Sequence, residues 1–225
     1  MKSILIIGLG DFGRHLCRNL VKLKNEIMII DKDETALEDL TDLVTSSMIA
    51  DCTQRNVLQS LGVSSFDFCF VCIGSNFQSN LIITNTLKEL GAKYVVSQTN
   101  DETLANFLLR NGADDIIHPN KDSAMRAAVK YNNDSIFDYI ELKDGYSIYE
   151  ITPIKEWIGK SILESDIRVK HDVYIIGIIS PSGGIDIMPS PHTIIKSDNR
   201  LMVLANEKTI DRLLKRENKT FQDKS

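Results

Sequence analysis

Apolar and polar residues follow two alternating patterns along the chain as far as Asn120. Short apolar runs of strand length, such as Ile4–Leu9, alternate with longer stretches in which apolar residues recur every three or four positions. The short runs predict strands of a sheet that is covered on both faces, and the longer stretches predict helices. The predicted strands are Lys2–Leu9, Glu26–Ile30, Met48–Ala50, Asp67–Ile73, Tyr94–Ser97 and Asp115–Ile117, and the predicted helices are Asp11–Lys24, Glu34–Val44, Asn56–Leu61, Asn76–Leu90 and Glu102–Arg110. This alternation indicates an α/β domain with a Rossmann-like, doubly wound parallel sheet.

The pattern of apolar and polar residues changes after Asn120. One more helix is predicted at Asp122–Tyr131, and the polar run from Asn132 to Ser135 predicts a linker. Beyond the linker the pattern predicts short strands at Tyr146–Ile151, Val173–Ile179, Ile185–Met188 and Leu201–Ala205, a turn at Gly183-Gly184, a helix at Thr209–Arg216 and a polar tail. We therefore predict an α/β domain at residues 1–132 and a small α+β domain at residues 137–216.

Composition narrows the class of protein. The 225 residues carry a net charge of −5 without a dense cluster of lysine and arginine, and the sequence pI is about 5.4. Nucleic-acid binding requires a basic face, so we expect no nucleic-acid partner. We find no secretory signal and no apolar run of about 18 residues, the length that a membrane span needs. The expectation is a cytoplasmic protein that meets a membrane only through a partner.

Four cysteines raise the question of redox or metal chemistry. Cys69 and Cys72 form a C-x-x-C pair inside an apolar run, and Cys17 and Cys52 stand alone. Residues three apart on a strand point to opposite faces, which does not suit a shared metal ion. No second pair and no nearby histidine completes a site. We expect buried structural thiols in a reducing cytosol and no metal site.

A G-x-G-x-x-G motif at Gly8, Gly10 and Gly13 lies between the first predicted strand and the first predicted helix. In this context the first glycine allows a tight turn, the second lets a phosphate approach the backbone, and the third lets helix and strand pack closely. The helix N-terminus offers unpaired N–H groups and about half a positive charge to an anion. The motif therefore predicts a nucleotide site, and the alternative is that the glycines only form a turn.

Carboxylates and small residues follow the next predicted strands. Asp31 ends the second strand, where a carboxylate accepts hydrogen bonds from a ribose diol and repels a 2′-phosphate. This favours ATP, ADP or NAD(H) over NADP(H). Asp51-Cys52-Thr53 after the third strand and Gly74 after the fourth lie at the same sheet edge, although Asp51 could equally cap a helix.

The same residues, taken together with others, resemble the RCK (or KTN) proteins. The resemblance is to the KtrA/TrkA-type gating subunits of bacterial potassium-uptake systems. It rests on Gly8-Leu9-Gly10, Phe12-Gly13, Ile30-Asp31, Asp51-Cys52-Thr53, Leu58, Leu61-Gly62, Ile73-Gly74, Asn76, Gln78, Asn80, Leu87-Lys88-Glu89-Leu90, Gly112-Ala113-Asp114, Ile117-His118-Pro119, Ile167-Arg168 and Pro189-Ser190-Pro191. It implies a nucleotide site formed by Gly8, Gly10, Asp11, Phe12, Gly13, Asp31, Lys32, Asp51, Cys52, Thr53, Ile73 and Gly74.

The resemblance also implies how such a protein works. It implies a homodimer that assembles further, usually into a ring of eight, beneath a membrane potassium-translocating subunit of the KtrB/TrkH type. ATP and ADP would bind two ring conformations with different affinity, and the ring shape would be transmitted to the pore. This mechanism requires no covalent chemistry, so we expect no catalytic residues and no enzyme activity.

Three positions depart from the family pattern. Where the family often has an arginine between the second and third glycines, a lysine at the end of the fifth strand and a glutamate after His-Pro, this chain has Asp11, Ser97 and Asn120. One charge at 4 Å is worth about 4 kcal/mol at an effective dielectric near 20. These changes could abolish discrimination between ATP and ADP while adenosine binding is kept. Arg14 could compensate, or it could form a salt bridge on the helix surface.

The C-terminal domain offers a second candidate site. By the resemblance, Ile162, Leu163, Ile167 and Pro189 match apolar positions that enclose the bases of cyclic di-AMP, and Arg168 matches a phosphate contact. The alternative is that the isoleucines and Leu163 are core residues and Arg168 is solvated.

Two rival functions remain at this stage. One is an NAD-dependent oxidoreductase, for which the sequence offers no obvious histidine–carboxylate pair. The other is a redox or nucleotide sensor that acts on a different membrane transporter.

Overall fold

The computed structural model describes residues 1–132, 135–142 and 144–222, and the chain divides into two compact units, Met1–Asp122 and Ser123–Ser225. The division falls inside a helix, Pro119–Asn132. The domain boundaries inferred from the sequence, 1–132 and 137–216, stay predictions, and Asn133 and Asp134 of the predicted linker lie outside the described residues.

The first unit contains a parallel sheet of six strands: β1 (Ser3–Ile7), β2 (Glu26–Asp31), β3 (Ser46–Ile49), β4 (Phe68–Val71), β5 (Val95–Gln98) and β6 (Asp115–Ile117). Its helices are α1 (Asp11–Lys22), α2 (Arg55–Ser60), α3 (Phe77–Glu89), α4 (Glu102–Arg110) and α5 (Pro119–Asn132), the last of which runs into the second unit. The strand order is β3-β2-β1-β4-β5-β6, so the chain reverses direction across the sheet between β1 and β4. The predicted Rossmann-like fold is confirmed, and such a switch point is where open α/β sheets bind ligands.

The sheet separates two hydrophobic cores because successive residues of a strand point to opposite faces. Leu5 and Ile7 face one core together with α2 and α3, whereas Ile4 and Ile6 face the other core together with α1. The four cysteines are free and buried, as predicted. Cys69 and Cys72 belong to opposite cores, and burial raises the pKa of each thiol to about 12.

The predicted helix Glu34–Val44 is wrong. The chain instead forms two short 3₁₀ turns, Glu34–Ala36 and Thr41–Leu43. The backbone N–H of Leu40 bonds to the carbonyl of Leu37 at 2.9 Å, and the Thr41 hydroxyl bonds to the same carbonyl at 3.0 Å. The three-residue spacing of Leu37 and Leu40, both buried, fits a 3₁₀ turn as well as an α-helix.

The second unit contains an antiparallel sheet, short helices after β8 and a longer helix at its end. Its strands are β7 (Ile136–Glu141), β8 (Tyr146–Ile151), β9 (Tyr174–Ile179), β10 (Ile185–Ile187) and β11 (Arg200–Asn206), in the order β10-β9-β11-β8-β7. Its helices are α6 (Ile162–Ser165), α7 (Ile167–His171) and α8 (Glu207–Gln222). The turn at Gly183-Gly184 is present between β9 and β10. The sequence pattern missed β7, α6 and α7, and it ended the last helix at Arg216, whereas α8 continues to Gln222. No helix in the described ranges combines the length and the apolar character that a membrane crossing requires.

Candidate nucleotide-binding site

A crevice of about 640 Å³ lies at the carboxyl edge of the parallel sheet. It is bordered by the segments that follow β1, β2, β3, β4 and β5 and by the first residues of α5. Eleven of the twelve residues predicted for the nucleotide site line it: Gly8, Gly10, Asp11, Phe12, Asp31, Lys32, Asp51, Cys52, Thr53, Ile73 and Gly74. The exception is Gly13, which is buried beside the first strand.

The three glycines have different roles. Gly8 has a φ of +91°, and a Cβ there would lie 2.8 Å from the side chain of Ile73, so both the turn and the space require glycine. A Cβ on Gly13 would lie 2.2 Å from the carbonyl oxygen of Gly8, which means that α1 and β1 touch backbone to backbone. Gly10 lines the crevice, and no other atom lies within 4 Å of the place where its Cβ would be.

Gly10 also leaves the end of α1 available to a ligand. It is the N-cap residue of α1, and it supplies no side-chain hydrogen bond to the first turn. The first amides of a helix have no partner within the helix, and together with the helix dipole they favour an anion. The start of α1 therefore has the donor groups and the space that a phosphate needs.

Asp31 connects the second strand to the glycine loop. Its Oδ2 accepts a hydrogen bond from the amide of Leu9 at 2.6 Å, and its Oδ1 accepts one from the amide of Asp33 at 3.0 Å. Each carboxylate oxygen can accept more than one hydrogen bond, so the group can still receive hydroxyl donors from a ligand. The half-buried carboxylate is thus held at the position expected of a ribose acceptor.

Asp51, Cys52 and Thr53 form the outer wall after β3. Asp51 Oδ1 accepts hydrogen bonds from the hydroxyl of Thr53 at 2.7 Å and from its amide at 3.0 Å. These bonds, with the charge of Lys32, hold the pKa of Asp51 below its ordinary value. The Asp51 side chain therefore caps its own turn rather than α2, whose N-cap is Gln54. Burial raises the pKa of the Cys52 thiol to about 12, so this residue contributes wall rather than charge.

Ser97, one of the three positions that depart from the family pattern, is not among the residues that line the crevice. Ser97 is fully buried, and its hydroxyl lies 2.7 Å from that of Thr84. The next residue, Gln98, lines the crevice instead, because side chains alternate between the faces of a strand. Asn120 does line the crevice, whereas Ser75, Asn76, Ser79 and Asn100 were missed by sequence reasoning. Their signal was weak, since they are small polar residues in the loops after β4 and β5 or in the first turn of α3.

A buried polar network supports this far side. Asn80 is 1% exposed, and its Nδ2 donates to the carbonyl of Ile73 at 3.1 Å and to the carbonyl of Gln98 at 2.8 Å. Its Oδ1 accepts from the hydroxyl of Thr84 at 3.1 Å. One side chain of α3 thereby joins the ends of β4 and β5, which fixes the two residues that line the crevice there.

The charges at the crevice are mostly negative. Three carboxylates line it, from Asp11, Asp31 and Asp51, and Lys32 is the one lysine or arginine among the described lining residues. Arg14 lies elsewhere, because its guanidinium pairs with Asp39 and donates to the carbonyl of Ala36 at 2.8 Å. The described part of the chain contains no cluster of three or more histidine, cysteine, aspartate or glutamate side chains placed to hold a metal ion.

Known proteins match this chain along nearly its whole length. The TrkA-N domain family matches residues 4–119, and the TrkA-C domain family matches residues 146–217. The Ktr system potassium uptake protein A of Bacillus subtilis is 32% identical over 211 residues, which cover 94% of this chain and 95% of that protein. This chain belongs to the TrkA/KtrA family of RCK proteins. The Ktr system potassium uptake protein C of the same organism is also 32% identical, over 217 residues that cover 96% of this chain and 97% of that protein.

Solved structures share the fold of this TrkA/KtrA family member. The crystal structure of the GsuK RCK domain matches with a TM-score of 0.65 and 19% identity, over 95% of this chain and 47% of that chain. The GsuK channel bound to NAD matches with a TM-score of 0.65 and 18% identity, over 92% and 38%. The chain therefore spans less than half the length of these two proteins, and at this identity the likeness establishes the fold alone.

The residues proposed for a second ligand lie in the part of this TrkA/KtrA protein that matches TrkA-C. The amides of Ile162 and Leu163 in α6 bond to the carbonyls of residues 193 and 191, which brings Leu163 beside the segment that contains Pro189. Leu163 is 62% exposed, and the exposed Arg168 lies over the ring of Tyr174 at 4.8 Å. Ile162 packs against the core and is partly exposed, but Ile167 is 2% exposed and belongs to the core. The side chain of Ile167 is therefore engaged in packing rather than presented at the surface.

Proposed function

We propose that this chain is a regulatory subunit of a potassium-uptake system and that it binds an adenine nucleotide in the crevice of its first unit. The observation that carries the proposal is the uncapped start of α1 beside the carboxylate of Asp31. Two relatives that align over almost the whole chain are named as Ktr system potassium uptake proteins, and the GsuK channel, of which the matched 38% has the same fold, was solved with NAD bound.

In this proposal the ribose, the phosphates and the adenine each contact different residues at the sheet edge. The ribose hydroxyls of the adenosine donate to Asp31, and the phosphates accept from the amides at the start of α1, next to Gly10. The adenine lies against the wall formed by Asp51, Cys52 and Thr53. Lys32, Phe12, Ile73 and Gly74 complete the enclosure, while Gly8 and Gly13 allow the loop to adopt this form.

The ligand acts by shifting a population of conformations. A nucleotide changes an equilibrium only by as much as its affinities for the two conformations differ. We propose that the chain works as a homodimer, in a ring of eight, on a membrane potassium-translocating subunit of the KtrB/TrkH type at the cytoplasmic face of the membrane. The mechanism needs binding alone, so the chain would act as a regulator rather than as an NAD-dependent oxidoreductase.

A second ligand belongs to the same proposal. The arrangement that favours it is the proximity of exposed Leu163 to the segment around Pro189, with Arg168 exposed on the next helix. A two-fold symmetric ligand such as cyclic di-AMP suits an interface in which two copies each supply the same half-site. Titration of the full chain with cyclic di-AMP tests this: saturable binding that Arg168→Ala weakens supports it, and an absence of binding contradicts it.

The nucleotide proposal is tested by calorimetric titration of the full chain with AMP, ADP, ATP and NADH, using Asp31→Asn. Because a charged acceptor of ribose hydroxyls is lost, we expect affinity to fall roughly tenfold or more. The matched control is Asp42→Asn, which removes the same charge at an exposed 3₁₀ turn outside the crevice lining. If no nucleotide binds, or if both variants bind like the wild type, the proposal is wrong.

The regulatory role has its own test. The chain is co-expressed with a KtrB-type subunit in cells that lack other potassium uptake, and potassium influx is measured for the wild type and Asp31→Asn. Influx that depends on the chain and on Asp31 supports regulation. Hydride transfer between NAD(H) and a small substrate, in the absence of any effect on influx, would favour the oxidoreductase instead.

A further inference from the structure

A histidine outside the nucleotide crevice lies at the end of α7 in the second unit. The side chain of His171 is 11% exposed, and its Nε2 is buried without a hydrogen-bond partner among the described residues. Buried polar atoms nearly always have a partner, so an unpartnered nitrogen here is unfavourable. Histidine is also the side chain whose charge ordinarily changes between about pH 5 and 8. A proton is therefore one species that this nitrogen can gain.

Glu156 is the partner that a protonated His171 needs. Its half-exposed carboxylate has Oε2 at 3.9 Å from His171 Nε2, which is too far for a hydrogen bond. A neutral imidazole with its proton on Nδ1 has a lone pair at Nε2 and cannot donate to a carboxylate. The protonated ring carries an N–H on both nitrogens and a positive charge, and such donors bond to carboxylates at about 2.7–2.9 Å. Protonation therefore favours a closer approach of the two side chains, by about 1 Å.

The other charged groups around His171 come from α7 and α8. Lys170, Asp172 and Arg212 are exposed and line a cavity of about 220 Å³ to which His171 also contributes. The two cations oppose a charge on the imidazole and the carboxylate favours it, but exposed charges are screened by water and salt. Among the described residues, Glu156 is the carboxylate within ion-pair distance of the ring. Its attraction is therefore the specific interaction that protonation creates.

The backbone of α7 suits an element whose position depends on few contacts. The helix has five residues, and it lies between Asp166 and Asp172, which have φ values of +48° and +55°. Left-handed conformations are uncommon for residues other than glycine and persist where surrounding contacts hold them. Ile167 holds the first residue of α7 in the hydrophobic core. At the other end His171 contacts the ring of Trp157, with centroids 5.6 Å apart. The end of α7 is thus held by the contacts that His171 makes.

We propose that His171 and Glu156 form a pH switch between α7 and the segment that precedes α6. In acid the protonated imidazole pairs with the carboxylate and holds the end of α7. As pH rises the proton leaves, the pair is lost and the helix is held less firmly. Arg168 lies three residues earlier on the same helix, so the switch gives that candidate ligand contact a dependence on pH. The switch itself needs neither a nucleotide nor a second ligand, and it stands or falls independently of both.

Trp157 makes the switch measurable, because it is the single tryptophan of the chain and is fully buried. A protonated imidazole in contact with an indole quenches its fluorescence. We expect the fluorescence of the full chain, without ligands, to fall in acid in one transition between about pH 5 and 8. His171→Gln cannot be protonated and should lose the transition. Its matched control, His192→Gln, removes an exposed histidine of the same unit and should keep it.

Glu156→Gln distinguishes a pH switch from a histidine that only packs against the tryptophan. This variant keeps the imidazole and removes the charge that stabilises its protonated form. We expect the midpoint of the transition to move to lower pH by roughly half a unit. Glu141→Gln, which removes an exposed carboxylate of β7, should leave the midpoint unchanged. Because Glu156 is half exposed, this test does not depend on whether His171→Gln folds.

Hydrogen exchange measures the predicted change in α7 itself. After correction for the intrinsic dependence on pH, the amides of residues 167–172 should be roughly twofold to fivefold better protected at about pH 6 than at about pH 8. His171→Gln should abolish this difference. The proposal is wrong if the wild type shows no fluorescence transition, if His171→Gln keeps it, if Glu156→Gln leaves its midpoint unmoved, or if the protection of α7 is the same at both pH values.

Discussion

Two glycines of the loop between β1 and α1 allow the effect of a substitution on stability to be separated from its effect on nucleotide binding. Gly13→Ala would place a methyl group 2.2 Å from the backbone oxygen of Gly8, and α1 must move away from β1 to relieve the contact. Gly10→Ala would place the same group in open space, and the backbone at Gly10, with φ −63° and ψ −177°, is allowed for alanine. The same substitution three residues apart should therefore have opposite consequences.

The magnitudes follow from these two geometries. Overpacking of a tight contact costs about 1–3 kcal/mol, and a backbone oxygen cannot rotate aside as a side chain can, so we expect Gly13→Ala near the upper end. For a chain of 150–250 residues this corresponds to a fall in Tm of about 4–12 °C. Gly10→Ala should raise stability by about 0.4–1 kcal/mol, because alanine has less freedom in the unfolded chain. Its methyl group should nevertheless block phosphate access and weaken nucleotide binding roughly tenfold or more.

Thermal unfolding followed by circular dichroism measures the first effect, and calorimetric titration with NADH and AMP measures the second. The two variants serve as controls for each other, since both add one methyl group to the same loop. The reasoning is refuted if Gly13→Ala melts with the wild type, or if Gly10→Ala keeps both its fold and its nucleotide affinity.

Three further predictions concern residues around the crevice and in the core. Thr84→Val should lower the free energy of unfolding by about 1–3 kcal/mol, because it leaves Asn80 and Ser97 without their hydrogen-bond partner. The double variant Thr84→Val/Ser97→Ala should lose less than the sum of the two single losses, and urea denaturation of the three variants measures this. Arg14→Ala should change stability by less than about 1 kcal/mol, because the ion pair of Arg14 is partly exposed. It should change nucleotide affinity less than about twofold, because the ion pair lies outside the crevice. A roughly tenfold loss of affinity measured by calorimetry would contradict this. Burial raises the pKa of the Cys69 thiol from 9.0 to about 12, so the unfolded chain loses this proton before the folded chain does and stability falls as pH rises above 9, by about 1.4 kcal/mol per pH unit for this thiol. Cys52 and Cys72 have pKa values raised in the same way, so Cys69→Ala should make the slope of stability against pH shallower by one thiol's share. Denaturant titrations at several pH values measure the slope, and an unchanged slope would refute the assignment.

Much of the first unit could be predicted from the sequence because its signals are local. The helix Glu102–Arg110 and the strand Asp115–Ile117 lie where the apolar pattern placed them. The glycine motif and Asp31 could be located for the same reason, since a strand that ends in glycine before an amphipathic helix has few other interpretations. The parallel sheet followed from the repeated alternation of strand and helix.

The 3₁₀ turns and the second unit show where local signals fail. A three-residue apolar spacing is shared by α-helices and 3₁₀ turns, so Leu37 and Leu40 could not distinguish them. The strand Ile136–Glu141 pairs with Tyr146–Ile151, and the pattern of apolar residues along the chain carries no information about such pairing. Short helices such as Ile162–Ser165 are smaller than the window in which periodicity can be recognised.

The sequence by itself determined the alternation of strands and helices in the first unit outside Glu34–Val44, the glycine turn and the family, because each depends on residue types at fixed spacing. Only the tertiary structure decided that Gln98 rather than Ser97 faces the crevice, that Arg14 is engaged by Asp39, and that Ile167 is a core residue. The physical reason is that a shift of one residue along a strand turns a side chain to the opposite face. Which face a residue presents, and which partner it finds there, is set by packing between segments that are distant in the chain.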